Sequence, residues 1–151
     1  MSHKTDIRNV TASVFKYLDD NFAGIVHYPG TEEPGSDAAW IEPWVSVTMK
    51  PARGRDWLYR VVLTINIFQK RSEAATYAIG LIAGELAELL KAHRLDVMTY
   101  HLDPALAIIG TISFDEPEVL DLGEVKSGEK ARIGLRQFTL RCDGRIYPMA
   151  A

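Results

Sequence analysis

The pattern of hydrophobic and polar positions divides the chain into helical and extended segments. Apolar residues spaced three and four apart predict one helix over residues 5–20 and a longer one that begins at Ser72 and runs to about His93. Strict alternation predicts strands over residues 40–50 and 57–69. Proline and glycine stand between these two strands, as in hairpin loops, so the strands are predicted to pair antiparallel.

Three further strands are predicted in the last third of the chain, over residues 96–101, 106–114 and 130–142. In the last of them the apolar residues change from odd to even positions. This change predicts a bulge near Arg136 or Gln137, because a shift of one residue reverses the faces of a strand. The element order α-β-β-α-β-β-β predicts an α+β fold, with two main helices packed on one face of a mostly antiparallel sheet.

The length of the chain indicates a single domain. Its 151 residues are enough for one full-sized domain and too few for two, so residues 1–151 are predicted to fold together. Exposed loops are expected at about residues 29–39 and 50–56, where proline, glycine and charged residues cluster. Residues 115–130 form either a long charged loop or a ribbon of two extended strands that turns at Ser127-Gly128.

Composition indicates a folded protein without a general affinity for polyanions. Hydrophobic residues account for 47% and charged residues for 25% of the chain, close to globular averages. The net charge of −3 does not favour strong binding to nucleic acid or to an anionic membrane. No apolar segment approaches the roughly 20 residues that span a bilayer, and the first residues do not form a signal peptide. We therefore expect a soluble cytosolic chain with no membrane partner.

The residue types that usually carry catalysis are scattered or poorly placed. The four histidines show none of the spacings of metal sites, and the single cysteine, Cys142, falls on the apolar side of its strand. Nucleophile-elbow and phosphate-binding glycine motifs are absent from the sequence. The prediction is a protein that is not an enzyme and has no catalytic residue, no metal and no cofactor. A small-molecule site in a cleft between the long helix and the sheet stays open as an alternative, supported by Tyr100, His101 and Asp103 near a turn and by Tyr28 and Trp44.

Two glycines and one tryptophan point to close contacts. Gly80 and Gly84 lie in the second helix, where each costs about 1 kcal/mol relative to alanine, so we expect another backbone to approach them closely. Trp44 shares the parity of Ser46 and Thr48, and it is expected to project outward as an anchor for a subunit contact.

Charged residues concentrate in the hairpin, in an acidic run after the fourth predicted strand, and in a basic segment that follows. They are either a solvated surface, or acidic and basic segments that meet between identical copies and orient them in a ring or stack. With the outward tryptophan, the candidate subunit-interface residues are Trp44, Lys50, Arg53, Arg55, Asp115, Glu116, Glu118, Lys126 and Lys130.

The whole layout is similar to that of one viral family. A helix that opens with Asp6-Ile7-Arg8 is followed by a Pro/Gly loop and the tryptophan-rich segment 40–45. Then come the strand at residues 58–69, a helix that Ser72-Glu73 begins, and terminal strands joined by a long charged segment. This combination covers most of the chain and resembles the tail terminator (tail completion) proteins of long-tailed bacteriophages and phage-like particles.

The resemblance implies a non-enzymatic virion structural protein of the tail or neck, assembled in the host cytoplasm. Six copies would form a ring that caps the tail tube, ends its polymerisation and provides the docking surface for the head connector. The implied partners are the chain itself, the tail tube protein and the head-tail connector protein, while DNA would only pass through the lumen.

On this interpretation Lys50, Arg53 and Arg55 would contact a ring neighbour or a tube subunit. Residues 115–130 would line the lumen or clasp the adjacent copy. Two alternatives stay open: another phage neck or head-tail connector protein, and a small cytosolic α+β domain that binds a ligand or catalyses a reaction.

Overall fold

The protein folds as two helices and a large sheet within the residues that its structure, a computed structural model, describes. Those residues are 3–29, 38–50, 58–70, 75–91, 93–100, 107–125 and 134–148. In chain order the elements are α1 (His3–Asn21), β1 (Ile25–Val26), β2 (Trp40–Lys50), β3 (Leu58–Lys70), α2 (Ala75–Leu90), β4 (Arg94–Met98), β5 (Ile108–Phe114), β6 (Glu118–Glu124) and β7 (Leu135–Pro148).

The strands form one sheet in the order β1-β2-β3-β7-β5-β4, and β6 also pairs with β7. β3 runs along one edge of β7 from the pair Tyr59–Ile146 to the pair Lys70–Leu135. The opposite edge of β7 is divided, because β5 pairs with its C-terminal part and β6 with its N-terminal part. Every pairing is antiparallel except that of β1 with β2, which makes the sheet mixed.

The α+β class is therefore confirmed, while the predicted element order lacks two strands. β1 has only two residues, too few for any periodicity. β6 has no buried face, because Val119, Leu120 and Leu122 are all exposed. Its apolar residues therefore show no alternation from which a strand could be predicted. For residues 118–124 the structure supports the extended ribbon rather than the loop, since they pair with β7 and Val125 N still donates to Leu135 O at 2.9 Å. The proposed turn at 127–128 lies outside the described residues.

The predicted bulge in the last strand is wrong. β7 pairs with β3 without a shift, and the extra residue lies instead on β6 between Asp121 and Gly123. The change of parity has another cause: Leu135 faces away from the helices and packs with Trp40 and Phe68 in a separate small core. The change from an odd apolar position to even ones arises because the two faces of β7, at different points along the strand, contribute to two separate cores.

Both helices cover the same face of the sheet. That face presents the fully buried odd residues of β3 and the apolar even residues of β7, against apolar side chains of α1 and α2. The main contributors are Val61, Leu63, Ile65, Ile67, Leu140 and Cys142 from the sheet, with Val10, Val14, Leu18, Ile79, Leu86 and Leu90 from the helices. We call the opposite surface of the sheet the open face.

The sheet curves around α1. The helix packs against both β2 and β4, which lie far apart in the strand order, so the sheet must curl around the helix. Met98 N donates to Ser13 Oγ at 3.0 Å, and Tyr17 Oη donates to Leu89 O of α2 at 2.8 Å. The Tyr17 ring also stacks on His93 with centroids 4.4 Å apart.

The close backbone approach expected at the helical glycines is not found within the described residues. A Cβ built on Gly80 or Gly84 meets nothing within 4 Å, and both glycines are exposed. Close packing occurs instead at Gly144 of β7. A Cβ there would lie 2.9 Å from Phe114, 3.0 Å from Val61 and 3.1 Å from Ile112.

Replacing Ile65 by aspartate is expected to abolish cooperative folding. Its side chain is fully buried between Pro43 and Leu140, so the variant would place an unpaired charge in the core at a cost above about 4 kcal/mol. Circular dichroism during thermal unfolding measures this. The matched control is Thr64→Asp, which puts the same charge on the open face beside Arg141. A cooperatively folded Ile65→Asp variant would contradict the position of β3 in the core.

Gly144→Ala is expected to destabilise the protein by about 1–3 kcal/mol, because its methyl group would overlap three buried side chains. Gly84→Ala should instead stabilise it by up to about 1 kcal/mol, since the methyl group meets open space on a helix. Urea unfolding of the two variants measures the difference. Equal effects of the two substitutions would argue against the crowded junction of β3, β5 and β7.

Candidate interaction surfaces

An acidic segment follows β5 and runs through β6 along the edge of the sheet. This segment, residues 115–124, contains five carboxylates and no lysine or arginine, and we call it the acidic strap. Its start is fixed by Asp115 N, which donates to Asp143 O at 2.8 Å. Lys91, which directly follows α2, lies 3.7 Å from Glu116 and ties the end of the helix to the strap. The strap is therefore an ordered part of the sheet.

A β-bulge in the strap is stabilised by one carboxylate. Asp121 accepts a hydrogen bond from Gly123 N at 2.9 Å and another from Arg136 Nη2 at 2.7 Å. These two donors, the backbone amide first, lower the pKa of Asp121. Gly123 has a φ of +70°, a value that favours glycine at such a position.

Apolar side chains on the strap are exposed on both faces. Val119, Leu120 and Leu122 have 39%, 46% and 53% of their surface exposed. Among the described strands β6 pairs only with β7, so its other edge faces no described strand. A strand edge that carries exposed apolar residues is a typical site of pairing with another chain.

The open face carries arginines, hydroxyl groups and an exposed tryptophan. Trp44 is 52% exposed, as its parity predicts. Asp143 accepts a hydrogen bond from Arg60 at 3.0 Å and lies 3.6 Å from Arg141, so one carboxylate serves two cations. Further along the same face an open cavity of about 370 Å³ is lined by Arg94, Thr111, Ser113 and Tyr147.

The small apolar cluster on the open face is closed by a buried carboxylate. Glu42 is 6% exposed and lies 2.7 Å from His27 Nδ1, joining the segment after β1 to β2. Trp40 Nε1 lies 3.4 Å from the same oxygen. These contacts orient Trp40 against Phe68, with ring centroids 5.6 Å apart. The group therefore has a structural role at this end of the sheet.

The residues of the small-molecule alternative do not come together where the structure describes them. Tyr28 packs on Phe15 of α1 and donates to Asp19, so it belongs to the helical side. Trp44 projects from the open face, and Tyr100 is exposed just after β4, while His101 and Asp103 lie outside the described residues. A second cavity, of about 180 Å³, lies between the end of α2 and the strap.

Cys142 is fully buried, as the sequence predicts for a structural thiol. Burial, with smaller contributions from the carboxylates of Asp115 and Asp143, raises its pKa to about 12. No group of three or more metal-ligating residues occurs among the described residues. No helix in the described part of the chain has the length and apolarity to cross a membrane.

The predicted interface residues divide into two groups. Trp44 stands on the open face, whereas Asp115, Glu116 and Glu118 lie together at the start of the strap. The backbone of Lys50 ends β2, and its side chain is not among the described ones. Outside the described residues lie Arg53, Arg55, Lys126 and Lys130.

Sequence reasoning missed the arrangement of arginines on the open face. Arg60, Arg94 and Arg145 come from three strands far apart in the chain, and only the strand register aligns them. The available signal was their shared outward parity within segments of alternating residues. That signal gives the face of each strand but not which residues become neighbours.

Comparison with known proteins gives a fold. No protein-family model matches the chain, and no curated protein matches it either. One solved structure, which carries no functional name, covers 96% of this chain and 98% of its own at a TM-score of 0.66 and 15% identity. Another is a chain in the virion of a native gene transfer agent particle, matched over 97% of this chain and 99% of its own. Its TM-score is 0.58 and its identity 11%. These similarities establish a shared fold.

Native Cys142 is expected to resist thiol reagents. At pH 8 a thiol with a pKa of about 12 is ionised in only about one molecule in ten thousand, and burial also blocks access. The native protein should react with a chromogenic disulfide reagent at least about 100-fold more slowly than the same protein in guanidinium chloride. Labelling at the same rate in both conditions would show that the β5–β7 junction opens readily.

Proposed function

We propose that the protein is a structural component of a phage or phage-like virion. The observation that carries this proposal is the full-length fold match to a chain of the gene transfer agent virion, which covers 97% of one chain and 99% of the other. The match extends over nearly all of both chains, so it concerns the fold as a whole and not one shared motif. Virion proteins often keep their fold while their sequences diverge, so the low identity is compatible with this role.

Within the virion we propose the role of tail terminator. Six copies would form a ring on the end of the tail tube, stop the addition of tube subunits and present the surface on which the head connector docks. The proposal rests on the sequence resemblance to the tail terminator family together with the exposed strap edge. A ring needs two different contact surfaces on each copy, and both the strap and the open face carry exposed apolar and charged side chains.

The proposed role assigns no catalytic residue and no cofactor. Two features support a structural function: the only thiol is buried, and the charged groups of the strap, with Arg60 and Arg141 on the open face, lie in exposed positions. The proposed partners are other copies of the chain, the tail tube protein and the head-tail connector protein.

The ring predicts a defined mass in solution. Light scattering over a concentration series should find a species of six times 16.9 kDa, or about 101 kDa, and negative-stain images should show rings. Added to polymerising tail tube protein from the same particle, the chain should shorten the tubes. A concentration-independent dimer that leaves tube length unchanged would contradict the tail-terminator role.

A further inference from the structure

Three arginines form a single row across the open face of the sheet. In the strand register Arg94 of β4 is opposite Ser113 of β5, and Ser113 is opposite Arg145 of β7. Arg145 is in turn opposite Arg60 of β3. Because directly paired residues share a face, the three guanidinium groups rise from the same side of the sheet. We call these residues the arginine row.

The charges of the arginine row are incompletely compensated within one copy. Like charges at directly opposed positions destabilise a sheet, and Arg60 and Arg145 occupy such a pair. Arg60 has Asp143 as a partner at 3.0 Å. Neither Arg94 nor Arg145 forms an ion pair within 4.0 Å with any described residue, although Asp96 lies on the same face of β4. Two of the three arginines are therefore without an ion-pair partner in the described part of the chain.

Hydroxyl groups accompany the unpaired arginines. Ser113 lies between Arg94 and Arg145, and Thr111 and Tyr147 stand one row further along. With Arg94 these three side chains line the cavity of about 370 Å³ on the open face. Guanidinium and hydroxyl donors around an open cavity are the groups that bind carboxylates, with the arginines able to bind both oxygens at once.

We propose that the arginine row binds the acidic strap of a second copy of this chain. This inference rests on the proposed ring and identifies the contact within it. The strap offers five carboxylates without a basic residue, which complements the row in charge. Glu118 forms no hydrogen bond or ion pair with a described residue, and Glu116 remains 76% exposed beside Lys91.

The two surfaces also complement each other in apolar character. Tyr147, one row from the arginine row, is 56% exposed, and Ile108, a row further along opposite Met98, is 46% exposed. The strap exposes Val119, Leu120 and Leu122. Exposed ion pairs contribute little individually, so burial of these apolar groups is needed to make the contact stable. Charge complementarity then sets the orientation of the two copies.

The positions of the two surfaces determine the kind of assembly. The row crosses β7 at residue 145, whereas the strap pairs with β7 over residues 136–141. Since they are different parts of the molecule, each copy uses one surface toward each neighbour. Contacts of this head-to-tail type generate closed rings when the rotation between copies closes, while a self-complementary surface gives a dimer.

A path for DNA is a poorer fit to the same surface. Binding along a phosphate backbone requires a continuous basic track in a domain of positive charge. Here Asp143 and Asp96 lie in the rows on either side of the arginine row, and the chain has a net charge of −3. A discrete carboxylate donor fits an isolated basic row better than a polyanion does.

The test uses two charge-reversal variants of the full chain. Variant A carries Arg94→Glu and Arg145→Glu, and variant B carries Glu116→Lys and Glu118→Lys. Each alone should raise the protein concentration needed for half assembly at least about tenfold, as measured by light scattering. An equimolar mixture of A and B should assemble again, because each variant then offers one intact and one reversed surface to the other. A control with Arg8→Glu and Lys16→Glu makes the same change of charge on α1 and should assemble normally.

A second measurement separates a binding role from a folding role. Arg145→Glu replaces a like-charge pair with Arg60 by an opposite-charge pair, so the variant monomer should melt about 1–4 °C higher than the unmodified monomer. A residue kept for folding would show the reverse. Gain of monomer stability together with loss of assembly is the expected signature of the arginine row.

The outcomes distinguish the contact from the function. If the unmodified chain forms rings and variant A forms them equally well, the contact is overturned while the tail-terminator role stands. If A and B each fail alone and also fail when mixed, the two surfaces do not meet and the contact is again overturned.

If the unmodified chain neither assembles nor affects tube length, the proposed function and the contact fail together. Tight binding of a short DNA duplex by the chain, lost in variant A, would assign the row to DNA instead.

Discussion

The division of one edge of β7 between two strands is the constraint on which this molecule depends. β3 pairs with residues 135–146 along one edge, while β5 and β6 follow one another along the other. The chain passes between them through residues 115–117, held by the hydrogen bond from Asp115 N to Asp143 O. This arrangement keeps β5 between β7 and β4 in the part of the sheet that the helices cover. β6 pairs with the N-terminal part of β7 and forms an exposed edge. The core and the strap are thus two parts of one hydrogen-bonded ladder.

The elements that could be read from the sequence are those with one buried and one exposed face. β3 alternates over its length because its odd residues meet the helices and its even residues face outward. β6 has no such asymmetry, so its apolar residues gave no period. Trp44 was placed correctly by parity, and the exposed acidic residues were found by composition. The arginine row was not predictable, because neighbours across strands depend on register, which one sequence does not specify.

On the open face some polar side chains have hydrogen-bond or ion-pair partners and others do not. In one row Asn66 Oδ1 accepts hydrogen bonds from Thr139 Oγ1 at 2.9 Å and from Gln137 Nε2 at 3.2 Å. In the next part of the face Asp143 serves Arg60 and Arg141. Asn66 and Asp143 therefore have partners within the same copy. Arg94 and Arg145 lie on the same face and have no such partner among the described residues.

The unpaired arginines and the exposed apolar side chains lower the free energy of unfolding, and no described contact within one copy offsets this. Opposed arginines weaken the β3–β7 pair, and the exposed apolar residues of the strap remain in contact with water. Glycines at the solvent face of α2 add a further loss of helix propensity without a neighbour in the described chain. These costs lie on surfaces rather than in the core, where packing is tight around Gly144. The tight packing thus lies in the core, while the unpaired arginines and the exposed apolar residues lie on the two surfaces between which a contact is proposed.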